Sequence, residues 1–166
     1  MTIDGEPRIE SAPATPAERA RLLALMRKEL ASRVDRILTL MGLTWPQFEA
    51  LYASRGEART IRRDGVVVGY CWIEQRAREL HLHAIFVLPE ERGRGIGSRA
   101  LRGLESEFRG KVDVIELGVE QTNTAAKALY ERQGFKVEQV LSELGFDIMR
   151  KHLSESQRDG REGSGR

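Results

Sequence analysis

The residues best suited to chemistry stand together at Arg92-Gly93-Arg94-Gly95-Ile96-Gly97. Glycines let a main chain approach a ligand closely, successive amides converge on an anion, and the start of a helix adds favourable potential. Arg92 and Arg94 add formal charge at the rim. The segment follows an apolar strand-like run and opens a helix-like one. Two readings stand, a phosphate cradle and a plain connecting turn, and the cradle accounts for more of the residues. A dinucleotide fingerprint starting at Gly93 would need glycine where Ser98 stands, and no Gly-Lys-Ser/Thr triplet completes a P-loop. Upstream, strand alternation puts Leu80, Leu82, Ala84, Phe86 and Leu88 on one apolar face, with Glu79, His81, His83, Ile85 and Val87 on the other. Ionisable groups on one side of an apolar strand beside a glycine loop point to a polar cleft. An imidazole there can take a proton near neutral pH, and His81 and His83 are both candidates. The plainer reading makes His81 and His83 half-exposed strand residues.

The elements that must position these groups can be read from spacing. Thr15-Pro16-Ala17-Glu18 is a capping box. After it, Leu22, Met26, Leu30, Val34, Ile37 and Met41 recur at helical steps up to Gly42, as one continuous core face. Any exposed part of that face would serve a homodimer contact. Thr44-Trp45-Pro46-Gln47 opens a second, short helix. Asp64-Gly65 joins two strands, Ala58–Arg63 and Val66–Glu74, as a hairpin. A third strand covers Glu79–Leu88, and a short one near Arg8–Ser11 makes it the fourth of the sheet. A helix over Gly95–Phe108, a central strand Val112–Val119, a helix over Asn123–Gln133 and a closing hairpin follow. The expectation is an α+β fold of α/β/α layers with about four helices. Residues 7–153 form one domain, and the polar ends 1–6 and 154–166 are expected to be disordered.

Composition narrows the function classes. The 166 residues carry 27 Lys+Arg against 25 Asp+Glu, a net charge of +2 too small for a dedicated nucleic-acid binder. Cys71 is the one cysteine, so disulfide frameworks and cysteine-built zinc sites are excluded, and it reads as a small buried hydrophobe. No apolar run is long enough to span a membrane, and residues 1–6 lack a secretory leader's pattern. A cytoplasmic protein with no membrane or nucleic-acid partner is expected. Tyr70 and Trp72 share a strand face, either as core or as lining of a substrate pocket.

The glycine loop resembles the Arg/Gln-x-x-Gly-x-Gly/Ala signature of the GNAT superfamily of N-acetyltransferases. Val87-Leu88-Pro89 resembles that family's lead-in. Asn123, Ala126, Leu129-Tyr130 and Gly134-Phe135 resemble its second block, and together the matches span residues 79–135. The resemblance implies a mixed, mostly antiparallel sheet splayed between its fourth and fifth strands. It also implies acetyl-CoA as cofactor. The amides of Gly93, Arg94, Gly95, Ile96, Gly97 and Ser98, with Arg92 beside them, would hold the pyrophosphate. The main chain of Ile85, Phe86 and Val87 would pair with the pantetheine arm as an added strand. The Val87 amide would face the oxygen that gains charge. Asn123 would bind the arm or simply cap its helix. Tyr130 would sit by the sulfur as its proton donor, the alternative being a core aromatic. His81 lies where some members carry a catalytic glutamate. Other members place a glutamate five residues before the motif asparagine, where this chain has Gly118. The implied activity is direct acetyl transfer to a primary amine, small or peptidic, without a metal. The competing reading is a non-catalytic acyl-CoA sensor of the same fold.

Overall fold

A computed structural model describes residues 5–29 and 31–153. Of the tails expected to be disordered, only Gly5 and Glu6 are described, and they carry no regular element. The chain runs β1 (Ile9–Pro13), α1 (Pro16–Glu29), α2 (Ala31–Met41), α3 (Trp45–Ser54), β2 (Glu57–Arg63), β3 (Val66–Arg76) and β4 (Glu79–Val87). A 3-10 turn, Pro89–Glu91, then leads to α4 (Ile96–Phe108), β5 (Val114–Glu120), α5 (Thr124–Arg132), β6 (Lys136–Leu141) and β7 (Phe146–His152). Among the described residues no helix is long and apolar enough to cross a membrane.

Local signals place most boundaries. Thr15 and Glu18 exchange side-chain hydrogen bonds with each other's main-chain amides, closing the box that starts α1. Thr44 and Gln47 do the same for α3. Each box satisfies amides that the first helical turn leaves unpaired. Asp64 and Gly65 both take positive φ, 49° and 84°, the geometry of the tight hairpin turn joining β2 to β3. The expected face from Leu22 to Met41 runs along α1 and α2. Leu22, Met26 and Val34 are buried as that face requires, whereas Met41 is 64% exposed. Leu30, counted on the same face, lies outside the described residues.

The sheet has the order β1-β2-β3-β4-β5-β7-β6. All neighbours are antiparallel except β4 and β5, which run parallel. One face packs Leu80, Leu82, Ile115 and Leu117 against Ile96, Leu101, Leu104 and Tyr130 of α4 and α5. The other packs Tyr70 and Trp72 against Leu22, Met26 and Tyr52 of α1 and α3. This is the expected α/β/α layering, with five α-helices among the described residues.

Strand β4 departs from simple alternation. Ala84 pairs with Trp72 and Leu82 with Ile73, which leaves His83 as an extra residue in a β-bulge. A bulge of two residues against one reverses which side later residues face. Leu80, Leu82, Ile85 and Val87 therefore share the α4 core, while Ala84 and Leu88 pack with α1 and α3. The single apolar face Leu80–Leu88 expected from parity does not exist, and Ile85 and Val87 do not share the histidine face.

Candidate active site

From β4 the chain turns through Pro89–Glu91 into the glycine loop. Gly93 (φ 77°) and Gly95 (φ 73°) are both left-handed, which glycine adopts without cost. A Cβ built on either would meet nothing within 4 Å, so the main chain here borders open space. Gly95 is the N-cap of α4, and no side chain caps that helix. The amides at the start of a 13-residue helix thus remain for an anion. Arg94 pairs loosely with Glu91, 3.4 Å, and its side chain is 56% exposed at the rim. Arg92 is turned back onto β4: its Nε donates to the Val87 carbonyl at 3.0 Å, and its guanidinium lies 5.1 Å from the Phe86 ring centre.

The parallel pairing of β4 with β5 runs from Glu79–Val114 to Leu82–Leu117 and ends there. The strands splay at the bulge, leaving Ile85–Val87 without a β5 partner. Two cavities meet at this opening. A narrow one of about 80 Å³ is lined by Ile85, Phe86, Tyr130 and the α1 residues Leu22 and Leu25. A wide one of about 460 Å³ lies under α2, α3 and the β6–β7 turn. Both are lined by His83, Ala84, Leu117 and Gly118. Gly118 thus sits at the centre of the site without a carboxyl group to offer.

The two histidines face the wide cavity in different settings. His81 lies in the paired part of β4, with Nδ1 3.2 Å from Glu116 and Nε2 3.3 Å from Glu79. Glu116 also accepts a hydrogen bond from Arg150 at 2.7 Å. His83 lies at the bulge, at the meeting of the cavities. Its Nε2 is 2.7 Å from Glu74, and the Trp72 ring lies 4.5 Å away between centres. Arg76, first, and His83, second, hold the Glu74 carboxyl down at about 2. Glu74 is therefore ionised at working pH and fixes the Nε2–H tautomer of His83, leaving Nδ1 with the lone pair. Burial holds the His83 imidazole below its ordinary value, outweighing the pull of Glu74. His83 is accordingly neutral near pH 7, the form a proton acceptor needs. The family resemblance points to His81, and a bulge without glycine leaves no sequence signal for His83.

Tyr130, on α5, is buried, lines the narrow cavity and packs edge-on to Phe135 at 6.0 Å. Asn123 caps α5, its Oδ1 accepting the Ala126 amide at 3.1 Å. The cap is therefore its role in this structure. Cys71 is buried in the α4-side core, and burial pushes its thiol up to about 12, which keeps it protonated and inert. Tyr70 is plain core. Trp72 is largely core but also lines the wide cavity, its Nε1 donating to the Arg55 carbonyl at 2.8 Å.

Residues 27–135 match the family model of the acetyltransferase (GNAT) family. The chain is 43% identical over 79 residues to the N-alpha-acetyltransferase RimI of Mycobacterium tuberculosis, covering 45% of this chain and 49% of that protein. It is 31% identical over 153 residues to the mycothiol acetyltransferase of Beutenbergia cavernae, covering 86% of this chain and 50% of that one. The chain thus spans about half the length of these curated relatives. Among solved structures, the PaiA N-acetyltransferase of Thermoplasma acidophilum, in complex with coenzyme A, superimposes with a TM-score of 0.64 at 18% identity. That match covers 87% of this chain and 99% of the other.

Proposed function

The chain belongs to the GNAT family of acetyltransferases, and on that premise we propose that residues 7–153 form one domain that moves an acetyl group from acetyl-CoA to a primary amine. The observation that carries the reading is a coincidence of three openings. The uncapped start of α4, the splayed edge of β4 and the meeting of the two cavities are joined through residues 83–96.

The residues present fit acetyl-CoA. The main chain of residues 93–98 would hold its pyrophosphate, because Gly93 and Gly95 leave the approach open. The splayed edge at Ile85–Val87 would hold its pantetheine arm as an added strand. When bound, acetyl-CoA supplies a thioester: a bond from the amine nitrogen to the acyl carbon replaces the carbon–sulfur bond, and a thiol leaves. His83 Nδ1 takes the proton that the amine loses. His81, its ring 6.2 Å from that of His83 and flanked by Glu79 and Glu116, relays that proton towards solvent. Tyr130 holds its phenolic proton for the departing sulfur in the narrow cavity. The Val87 amide serves the oxygen that gains charge. The non-catalytic reading has no comparable support, since the relatives named here are acetyltransferases.

Acetyl-CoA at about a hundred times its Kd should stabilise the protein by about 2.7 kcal/mol, or roughly 5–10 °C in Tm. An unchanged Tm in thermal unfolding at saturating cofactor would overturn the reading. Gly95→Ala probes the cradle directly. In the free protein the added methyl meets nothing within 4 Å, so only the left-handed backbone is penalised, by about 1–2 kcal/mol. The expected result is a modest loss of Tm together with roughly tenfold weaker acetyl-CoA binding by calorimetry, equivalent to about 1.4 kcal/mol.

A further inference from the structure

The wide cavity is divided by chemistry. Its floor on the sheet carries every ionisable group except Arg55: Glu74, Arg76, His81, His83 and Glu116. Its roof is apolar, built from Ile37, Leu38 and Met41 of α2 and from Leu144 of the β6–β7 turn, and Phe146 and Ile148 of β7 extend the floor as an apolar edge. The volume of about 460 Å³ lies in the range of pockets for one small organic molecule. We propose that the acceptor is a free primary amine carried on a bulky apolar body, an alkyl or arylalkyl amine. Its nitrogen sits at His83, and its hydrocarbon part lies beneath α2 and the β6–β7 turn. The proposal rests on the acetyltransferase reading and names the substrate class for that same site.

Three observations support it. First, the polar groups on the floor are already engaged with one another: Glu74 with Arg76 and His83, Glu116 with Arg150 and His81. One nitrogen can be served there, but the roof offers no carboxylate for a second. A polyamine or a lysine side chain would place a further ammonium, or its polar backbone, against hydrocarbon without a partner, which is costly. Second, Met41 is 64% exposed although it lines the cavity, so it presents apolar surface that an occupant would cover. This gives the exposed end of the α2 face an occupant other than a second copy of the chain. Third, Trp72 and Phe48 form one wall of the cavity in an edge-to-face pair, 6.1 Å between centres, a surface suited to an aromatic or branched body.

The test is a thiol-release assay at saturating acetyl-CoA across butylamine, hexylamine, octylamine and 2-phenylethylamine. Spermidine, Nα-acetyl-lysine amide and a short peptide with a free N-terminus are run beside them. The expected result is a kcat/KM that rises about fourfold per added methylene until the cavity is filled, from the transfer energy of a buried CH₂. Spermidine, the lysine derivative and the peptide should fall below hexylamine. Met41→Glu should flatten the dependence on chain length while leaving the acetyl-CoA-induced Tm shift intact. A flat series in the native enzyme, or preference for spermidine, lysine or the peptide, would overturn the assignment. So would failure of every apolar amine while acetyl-CoA still raises Tm. Loss of the Tm shift itself would instead count against the acetyltransferase reading.

Discussion

Replacing His83 with glutamine is expected to lower kcat/KM by roughly 10²- to 10⁴-fold, the contribution of a positioned proton acceptor. Glutamine keeps a hydrogen-bond donor for Glu74 and removes the lone pair that takes the proton. The effect should carry a pH signature. The groups facing His83 are Glu74 and Arg76 on β3 and His81 on β4. Glu74, held at about 2, and Arg76, held charged by Glu74, do not titrate between pH 5 and 8. Burial lowers the His83 pKa, so its neutral form persists to lower pH than that of a free imidazole, near 6.5. The acid limb of kcat/KM should therefore lie below pH about 6.5 in the native enzyme and disappear in His83→Gln. The same sign applies to stability. A depressed folded-state pKa opposes folding, so this group weakens the fold as pH falls below the unfolded value and charges fully below the folded one. His81→Gln is the control, expected to keep the limb with a smaller loss of rate. A limb that survives His83→Gln but vanishes in His81→Gln would transfer the role to His81.

Tyr130→Phe is expected to reduce kcat about 10²-fold while leaving acetyl-CoA affinity nearly unchanged. The loss belongs at the low end of acid catalysis, because a thiol of pKa about 8.5 departs more easily than an alcohol would. Phenylalanine preserves the ring that packs on Phe135 and lines the narrow cavity, so the change removes an oxygen rather than a packing element. Single-turnover kinetics separate the chemical step from product release. Unchanged kcat in Tyr130→Phe would remove the phenol from the chemistry.

The parts legible in the sequence were those whose chemistry is local. Glycines at 93 and 95 announce a main chain at positive φ, capping boxes announce the starts of α1 and α3, and Asp64-Gly65 announces a hairpin. The motif residues of α5 fell where spacing put them, with Asn123 as its cap. The bulge at His83 was not legible, because it arises from the register of β3 against β4, a nonlocal pairing that no local residue type signals. That bulge decides which histidine stands at the splay, and it turns Ile85 and Val87 to the opposite face. The wide cavity was also invisible. Its apolar roof comes from α2 and the β6–β7 turn, about a hundred residues apart in sequence, and each residue reads as ordinary core until the fold shows the space between them.

Acetyl transfer at the meeting of the two cavities is the proposed activity of this chain. The most direct test follows purified protein with acetyl-CoA and hexylamine by mass spectrometry and thiol release together. Acetylated hexylamine and free thiol are expected in equal amounts, both lost in the His83→Gln, Tyr130→Phe double variant while acetyl-CoA binding persists. Thiol release without acetylated amine, or equal turnover in the double variant, would contradict the proposed activity.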